Sequence, residues 1–152
     1  MFAIEPARHG DVPDLVRLLA QLFSIEQDFA ADRGRQQRGL ELLIGRSPRE
    51  AAVMVARDDR GRAIAMASGQ LVISTAEGAP SVWVEDVVVA PEYRHRGIGR
   101  ALLESLLSWA AAQGATRAQL LADQNNEPAL AFYARLGWSR SRMVMLRRPQ
   151  LV

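Results

Sequence analysis

Leu15, Leu18, Leu19 and Leu22 recur at i, i+3, i+4 and i+7, the spacing that lines one face of an α-helix. The pattern predicts an amphipathic helix over 12–23, with Asp11 placed to cap it and Pro13 in its first turn. A short strand is predicted before it at 2–8. The polar, broken stretch 24–34 leads to a second predicted helix at 35–45, with Leu40, Leu43 and Ile44 inward. Positions 52–57 alternate weakly and read as a strand. Asp58-Asp59-Arg60-Gly61 is a turn signal, so 52–57 and 63–74 form a hairpin. Gly78-Ala79-Pro80 ends a loop. Val82 to Ala90 is a β-branched run stopped by Pro91, the pattern of a central strand. Leu102, Leu103, Leu106, Leu107 and Ala110 mark the buried stripe of a long helix from Ile98 to Gln113, closed by Gly114. A strand at 117–122, a helix from Pro128 to Gly137 and a last strand at 139–147 complete the series.

Hairpins and crossover helices alternate in this order, which implies a mixed α/β sheet with helices on both faces. The strands at 82–90 and 117–122 are joined through a helix, so they are expected to run parallel. The chain has 152 residues, the size of one ordinary domain, and a single domain over 1–152 is the expectation.

Composition removes several chemistries. There is no cysteine, so thiolate nucleophiles, disulfides and cysteine zinc sites are excluded. All 19 basic residues are arginine, which excludes a lysine Schiff base and the lysine of a phosphate-binding P-loop. The two histidines, His9 and His95, are too few for a histidine-rich metal site and lack a nucleophile context. The pI near 9.9 reflects arginine holding its proton to high pH, for the net charge at pH 7 is only +2. No basic run is interleaved with aromatics, so nucleic-acid binding is not expected. No apolar run is long enough to span a bilayer, and the first residues do not read as a signal peptide. A soluble cytoplasmic protein is the expectation.

The chemistry-bearing segment runs from Val87 to Ala101, VVVAPEYRHRGIGRA. A buried strand enters a loop with two close glycines, and a helix opens behind it. Glycine lets backbone approach a ligand closely. The first amides of a helix lack internal partners and carry partial positive charge. The loop and helix start thus form an anion cradle suited to a pyrophosphate, with Arg94, Arg96 and Arg100 adding charge. Gly97-Ile98-Gly99 also matches half of a dinucleotide fingerprint, with Asp123 at a plausible distance for a ribose. The third glycine is missing, however, and Pro91 to Arg96 separates the strand from Gly97, whereas that fingerprint wants its glycines at the strand end.

The segment Arg94-His95-Arg96-Gly97-Ile98-Gly99, between a strand and a helix, resembles the signature of the GNAT superfamily of N-acetyltransferases. A second matching stretch follows at the expected distance, Asn126-Glu127-Pro128-Ala129-Leu130-Ala131-Phe132-Tyr133 and then Leu136-Gly137-Trp138. Trp138 stands where the family usually has Phe or Tyr. The order of elements agrees with that fold throughout. The resemblance implies acetyl-CoA as co-substrate, no metal, and direct transfer of acetyl to a primary amine. By the same resemblance, backbone amides of Arg94, His95, Arg96, Gly97, Ile98, Gly99, Arg100 and Ala101 would bind the pyrophosphate. Backbone of the Val87-Val88-Val89 strand would pair with the pantetheine arm or stabilise an oxyanion. Asn126 would contact the coenzyme, unless it only caps the helix at Pro128. Tyr133 would protonate the leaving thiolate. The family also implies a homodimer.

An attacking amine must first lose a proton. Glu85 is the candidate base, since period-two alternation puts it on the face of Val87 and Val89, with Asp86 opposite. The competing reading is a structural carboxylate bonded to an arginine. Glu26, Asp28 and Asp32 lie in the connection between the first two helices and could attract a cationic acceptor, with Trp83 offering an aromatic face. Arg33, Arg35 and Arg38 blunt that field, and a solvated mixed-charge loop explains the same residues. Trp83-Val84-Glu85-Asp86 with Asn126-Glu127-Pro128 also looks like the spermidine/spermine and diamine acetyltransferases. The acceptor expectation is therefore a polyamine, diamine or amino-acid-like amine. A non-catalytic acyl-CoA sensor on the same scaffold is the alternative.

Overall fold

The computed structural model describes residues 1–25 and 31–151. Its elements run β1 (Ala3–Pro6), α1 (Val12–Phe23), α2 (Arg33–Ile44), β2 (Ala51–Arg57), β3 (Ala63–Ser74), β4 (Ala79–Val89), α3 (Ile98–Ala112), β5 (Arg117–Leu120) and α4 (Glu127–Arg135). Two compact units share them, Met1–Leu121 and Ala122–Val152.

The first unit holds a five-stranded sheet in the order β1-β2-β3-β4-β5. Its first four strands are antiparallel neighbours, whereas β4 and β5, joined through α3, are parallel. Leu15, Leu18 and Leu19 of α1 and Leu40 of α2 pack with Val53, Val55, Met66 and Val88 on one face. On the other face Leu106 of α3 and Val82 both border Gly69. This is the mixed α/β sheet with helices on both faces that the element order implies.

Three local expectations are corrected. The loop at Gly78-Ala79-Pro80 is shorter than expected: β4 already begins at Ala79, with Pro80 opposite Ile73, and proline is tolerated so near a strand end. Asp11 does not cap α1 with its side chain. Its carboxylate instead accepts from Arg8 N at 2.7 Å and from two Arg57 nitrogens at 2.6 Å, while Arg57 also bonds Glu5. A nearly buried carboxylate is held by the strongest donor within reach, here a forked guanidinium rather than helix amides. The strand expected at 139–147 does not form. Met143, Val144 and Leu146 are apolar but exposed, and β-propensity without a ladder and a packed face does not make a strand.

In the second unit Asn126 Oδ1 accepts from Ala129 N at 3.2 Å and caps α4. Tyr133 meets Phe132 and Trp138 edge to face, at centroid distances of 5.2 and 5.9 Å, so Trp138 closes a small aromatic cluster behind the helix. No helix among the described residues is long and apolar enough to cross a membrane.

Candidate active site

Two features of β4 decide what this strand can do. The first is its length. Pairing with β5 ends at Val84–Leu120, but β4 runs on to Val89. From Glu85 to Val89 no strand among the described residues lies against the edge that β5 would cover, the kind of place where an extended ligand adds to a sheet.

The second is a bulge. Ser68 pairs with Glu85 and Met66 with Val88, so Asp86 and Val87 together oppose Ala67. Asp86 carries the extra residue's conformation, with φ +56°, uncommon for a residue with a Cβ. The bulge reverses the alternation and corrects the expected facing. Ser68 and Met66 lie two apart on one face of β3, so Glu85 shares a face with Val88, not with Val87 and Val89. Val88 is buried in the α1 core, so only its backbone is available to a ligand.

Glu85 is exposed and its carboxylate accepts from Trp83 Nε1 at 2.8 Å. The two are i, i+2 on one strand face, which puts the indole N–H beside the carboxylate. The partner is thus a neutral donor rather than the arginine of the structural reading. Asp32 caps α2, accepting from Arg35 N at 3.0 Å, and this bond holds it below the usual carboxylate range. Glu26 and Asp28 lie outside the described residues.

Beyond β4 the chain turns through Pro91–Tyr93 into α3. His95 and Gly97 both take left-handed backbone, at φ +61° and +77°. Gly97 caps the helix without a side-chain bond, so the first amides of α3 have no partner within the helix. The amides at the two ends of the expected set already have acceptors, Arg94 N on Pro91 O and Ala101 N on Gly97 O. The cradle accordingly narrows to His95 through Arg100. Alternating left-handed residues before a helix start turn successive N–H groups inward, an arrangement that suits an anion.

The cradle arginines also brace the loop. Arg94 Nε donates to Val89 O at 3.0 Å and Arg96 to Glu92 O at 3.0 Å, with its guanidinium 5.4 Å from the Tyr93 ring centroid. Arg100 pairs with Glu104 at 2.7 Å, which raises its pKa. Tyr93 Oη donates to Asp58 at 3.2 Å, tying the loop to the β2–β3 turn, a link that no sequence spacing signals. Asp58 is held below the usual range by Arg62 N first, with further bonds from Arg60 N and Tyr93. A cavity of about 380 Å³ lies beside this link, walled by Phe2, Asp58, Ile64, Tyr93, Arg96 and Ile98. Neither Glu85 nor Trp83 borders it.

Residues Val87 to Arg100 and the Trp83–Glu85 pair thus stand in the first unit, while Asn126 and Tyr133 stand in the second. In sequence, a strand that outruns its neighbour leads into a left-handed turn and an uncapped helix start.

Known proteins resemble this chain in both sequence and fold. Over 133 residues the chain is 30% identical to an uncharacterized N-acetyltransferase of Archaeoglobus fulgidus, covering 86% of this chain and 88% of that one. An uncharacterized N-acetyltransferase of Methanocaldococcus jannaschii is 32% identical over 72 residues, 47% of this chain but only 32% of the relative's length. Among solved structures, the aminoglycoside N-acetyltransferase AAC(6')-Iy in complex with CoA superposes with a TM-score of 0.82 at 18% identity, over 99% of this chain and 95% of that one. Residues 15–138 match the acetyltransferase (GNAT) family, and the chain belongs to that family, the acetyl-CoA-dependent N-acetyltransferases.

Proposed function

We propose that this protein moves an acetyl group from acetyl-CoA to the primary amine of a small cationic molecule, by direct attack and as a single catalytic domain over residues 1–152. The observation that carries the reading is that β4 outruns its pairing with β5, which ends at Val84, and continues to Val89 before the chain enters the His95–Arg100 turn. Bound acetyl-CoA supplies the thioester. Backbone of Val87 and Val89 would align the pantetheine arm, and the α3 amides would hold the pyrophosphate. Asn126 would contact the coenzyme while its side chain caps α4. A chain without cysteine suits transfer without a covalent enzyme intermediate.

Glu85 would accept the proton of the attacking amine, and Tyr133 would donate one to the departing sulfur. The Trp83 N–H on Glu85 supports the first role, because it fixes the carboxylate on an exposed strand face. The same carboxylate and the Trp83 ring would draw a cationic acceptor, which favours a diamine, polyamine or amino-acid-like amine. Glu26 and Asp28 would add to that field. We further propose that the protein works in the cytoplasm as a homodimer, for which a monomer mass by light scattering is the contrary result.

The test is thioester cleavage with spermidine, short diamines and lysine analogues, comparing wild type with Glu85→Gln and Tyr133→Phe. Each substitution should lower kcat by roughly 10²–10⁴-fold, the usual contribution of a positioned acid or base. Cleavage with a different amine alone would sink the acceptor class. Wild-type turnover in both variants would sink the assigned roles.

A further inference from the structure

The bulge in β4 sets both proposed functions of that strand, and its backbone conformation is an unfavourable one for Asp86. Something must hold it. Ser68 of β3 is 2% exposed and lies opposite Glu85 in the ladder. Its Oγ stands 3.1 Å from the carbonyl oxygen of Glu85 and 3.3 Å from Asp86 Oδ2. A serine hydroxyl has one hydrogen to donate, and both neighbours are acceptors, so one buried hydrogen is shared between the Glu85 carbonyl and the Asp86 carboxylate. The residues flanking Ser68 on β3, Ala67 and Gly69, offer no side-chain donor, so this hydroxyl has no substitute within the strand.

We propose that Ser68 is a positioning residue that clamps the β4 bulge, keeping Asp86 left-handed, Glu85 on the Val88 face and the following strand edge shaped for the coenzyme arm. This rests on the reading of β4 as the acetyl-CoA strand. Loss of the hydroxyl leaves the Glu85 carbonyl and the Asp86 carboxylate without this donor, and Asp86 then relaxes toward ordinary strand geometry. That would carry Glu85 off its face and reshape the strand from Asp86 to Val89. Glycine takes the left-handed conformation freely, so a glycine at position 86 makes the clamp unnecessary.

The experiment compares wild type, Ser68→Ala, Asp86→Gly and the Ser68→Ala/Asp86→Gly pair by calorimetric titration with acetyl-CoA, with the crystal structure of each. Ser68→Ala should weaken acetyl-CoA binding by roughly five- to thirty-fold, the ratio expected when the free protein relaxes from one left-handed residue. In the Asp86→Gly background the same Ser68→Ala change should cost less than about twofold, a rescue that a merely structural serine would not give. Unchanged binding in Ser68→Ala, or an equal cost of Ser68→Ala in the Asp86→Gly background, would each overturn the proposal. Should Ser68→Ala fail to fold, the paired variant compared with Asp86→Gly still decides it. Failure of wild type to bind acetyl-CoA would overturn the acetyl-CoA reading itself, whereas Asp86 at positive φ in the Ser68→Ala crystal would overturn the clamp alone.

Discussion

Gly97→Ala isolates what the left-handed start of α3 contributes to the coenzyme cradle. Gly97 sits at φ +77°, and a Cβ built there meets nothing within 4 Å. The substitution therefore adds no clash, only the conformational penalty of a left-handed alanine, about 1–2 kcal/mol. Where that penalty appears depends on how firmly the backbone is held. At Gly97 the carbonyl accepts from Ala101 N, but its own amide meets no acceptor among the described residues and no side chain caps the helix start, so the unliganded turn can relax and must be restored on binding. Most of the penalty then falls on affinity, weakening acetyl-CoA binding by roughly five- to thirty-fold. Gly114 is the matched control at the other end of α3, with φ +91° and equally open space around its Cβ. There Gly114 N bonds Ala111 O at 2.9 Å and Ala115 N bonds Ala110 O at 3.0 Å. These pin the conformation, and Gly114→Ala should lose melting temperature, by about 2–8 °C for a chain of this size, with acetyl-CoA affinity kept. The assay is calorimetric titration with acetyl-CoA alongside thermal melts of both variants. Unchanged affinity in Gly97→Ala, or an equal loss in Gly114→Ala, would refute the reasoning.

Arg57→Met should cost about 3–5 kcal/mol in urea unfolding at pH 7, because it strands the Asp11 carboxylate. Asp11 and Arg57 side chains are only 10% and 13% exposed, and adding Asp11→Asn should recover part of the loss. Arg57 is also the main reason Asp11 stays below the ordinary carboxylate value. A depressed folded-state pKa contributes stability above the unfolded value near ~3.9 that is lost as pH falls through the folded one. Thermal melts should therefore hold level from about pH 7 to 5 and drop below about pH 4, with the drop smaller in Arg57→Met, where only Arg8 still lowers the Asp11 pKa. Gly69→Ala should destabilise by about 1–3 kcal/mol through overpacking, since its Cβ would stand 3.0 Å from Val82 Cγ2 and 3.1 Å from Leu106 Cδ1. A neutral melt would show that α3 can shift off the sheet.

The parts of this architecture that depend on near neighbours in sequence were legible. The leucines of α1 give its bounds, 12–23, because one buried face at helical spacing leaves little choice. The Gly97–Gly99 spacing behind a β-branched run locates the start of α3, since glycine and helix amides act locally. The β4 bulge was not legible, because Val82, Val84, Val88 and Ala90 keep one parity in the sequence while the inserted residue moves the last two to the α1 face. The only hint is the Glu85-Asp86 pair breaking an apolar run. The Tyr93–Asp58 and Arg57–Asp11 links join residues 35 and 46 positions apart, where spacing carries no signal. At 139–147 the strand pattern misled because β-propensity reports what a packed ladder would stabilise, and this segment has none.

Calorimetric titration of the purified protein with acetyl-CoA, with NAD as the control ligand, decides whether this chain uses the coenzyme at all. Saturable binding of one acetyl-CoA per chain, competed by free CoA, with no heat of binding from NAD, is the expected result. Absence of binding at millimolar acetyl-CoA, or tighter binding of NAD, would contradict it.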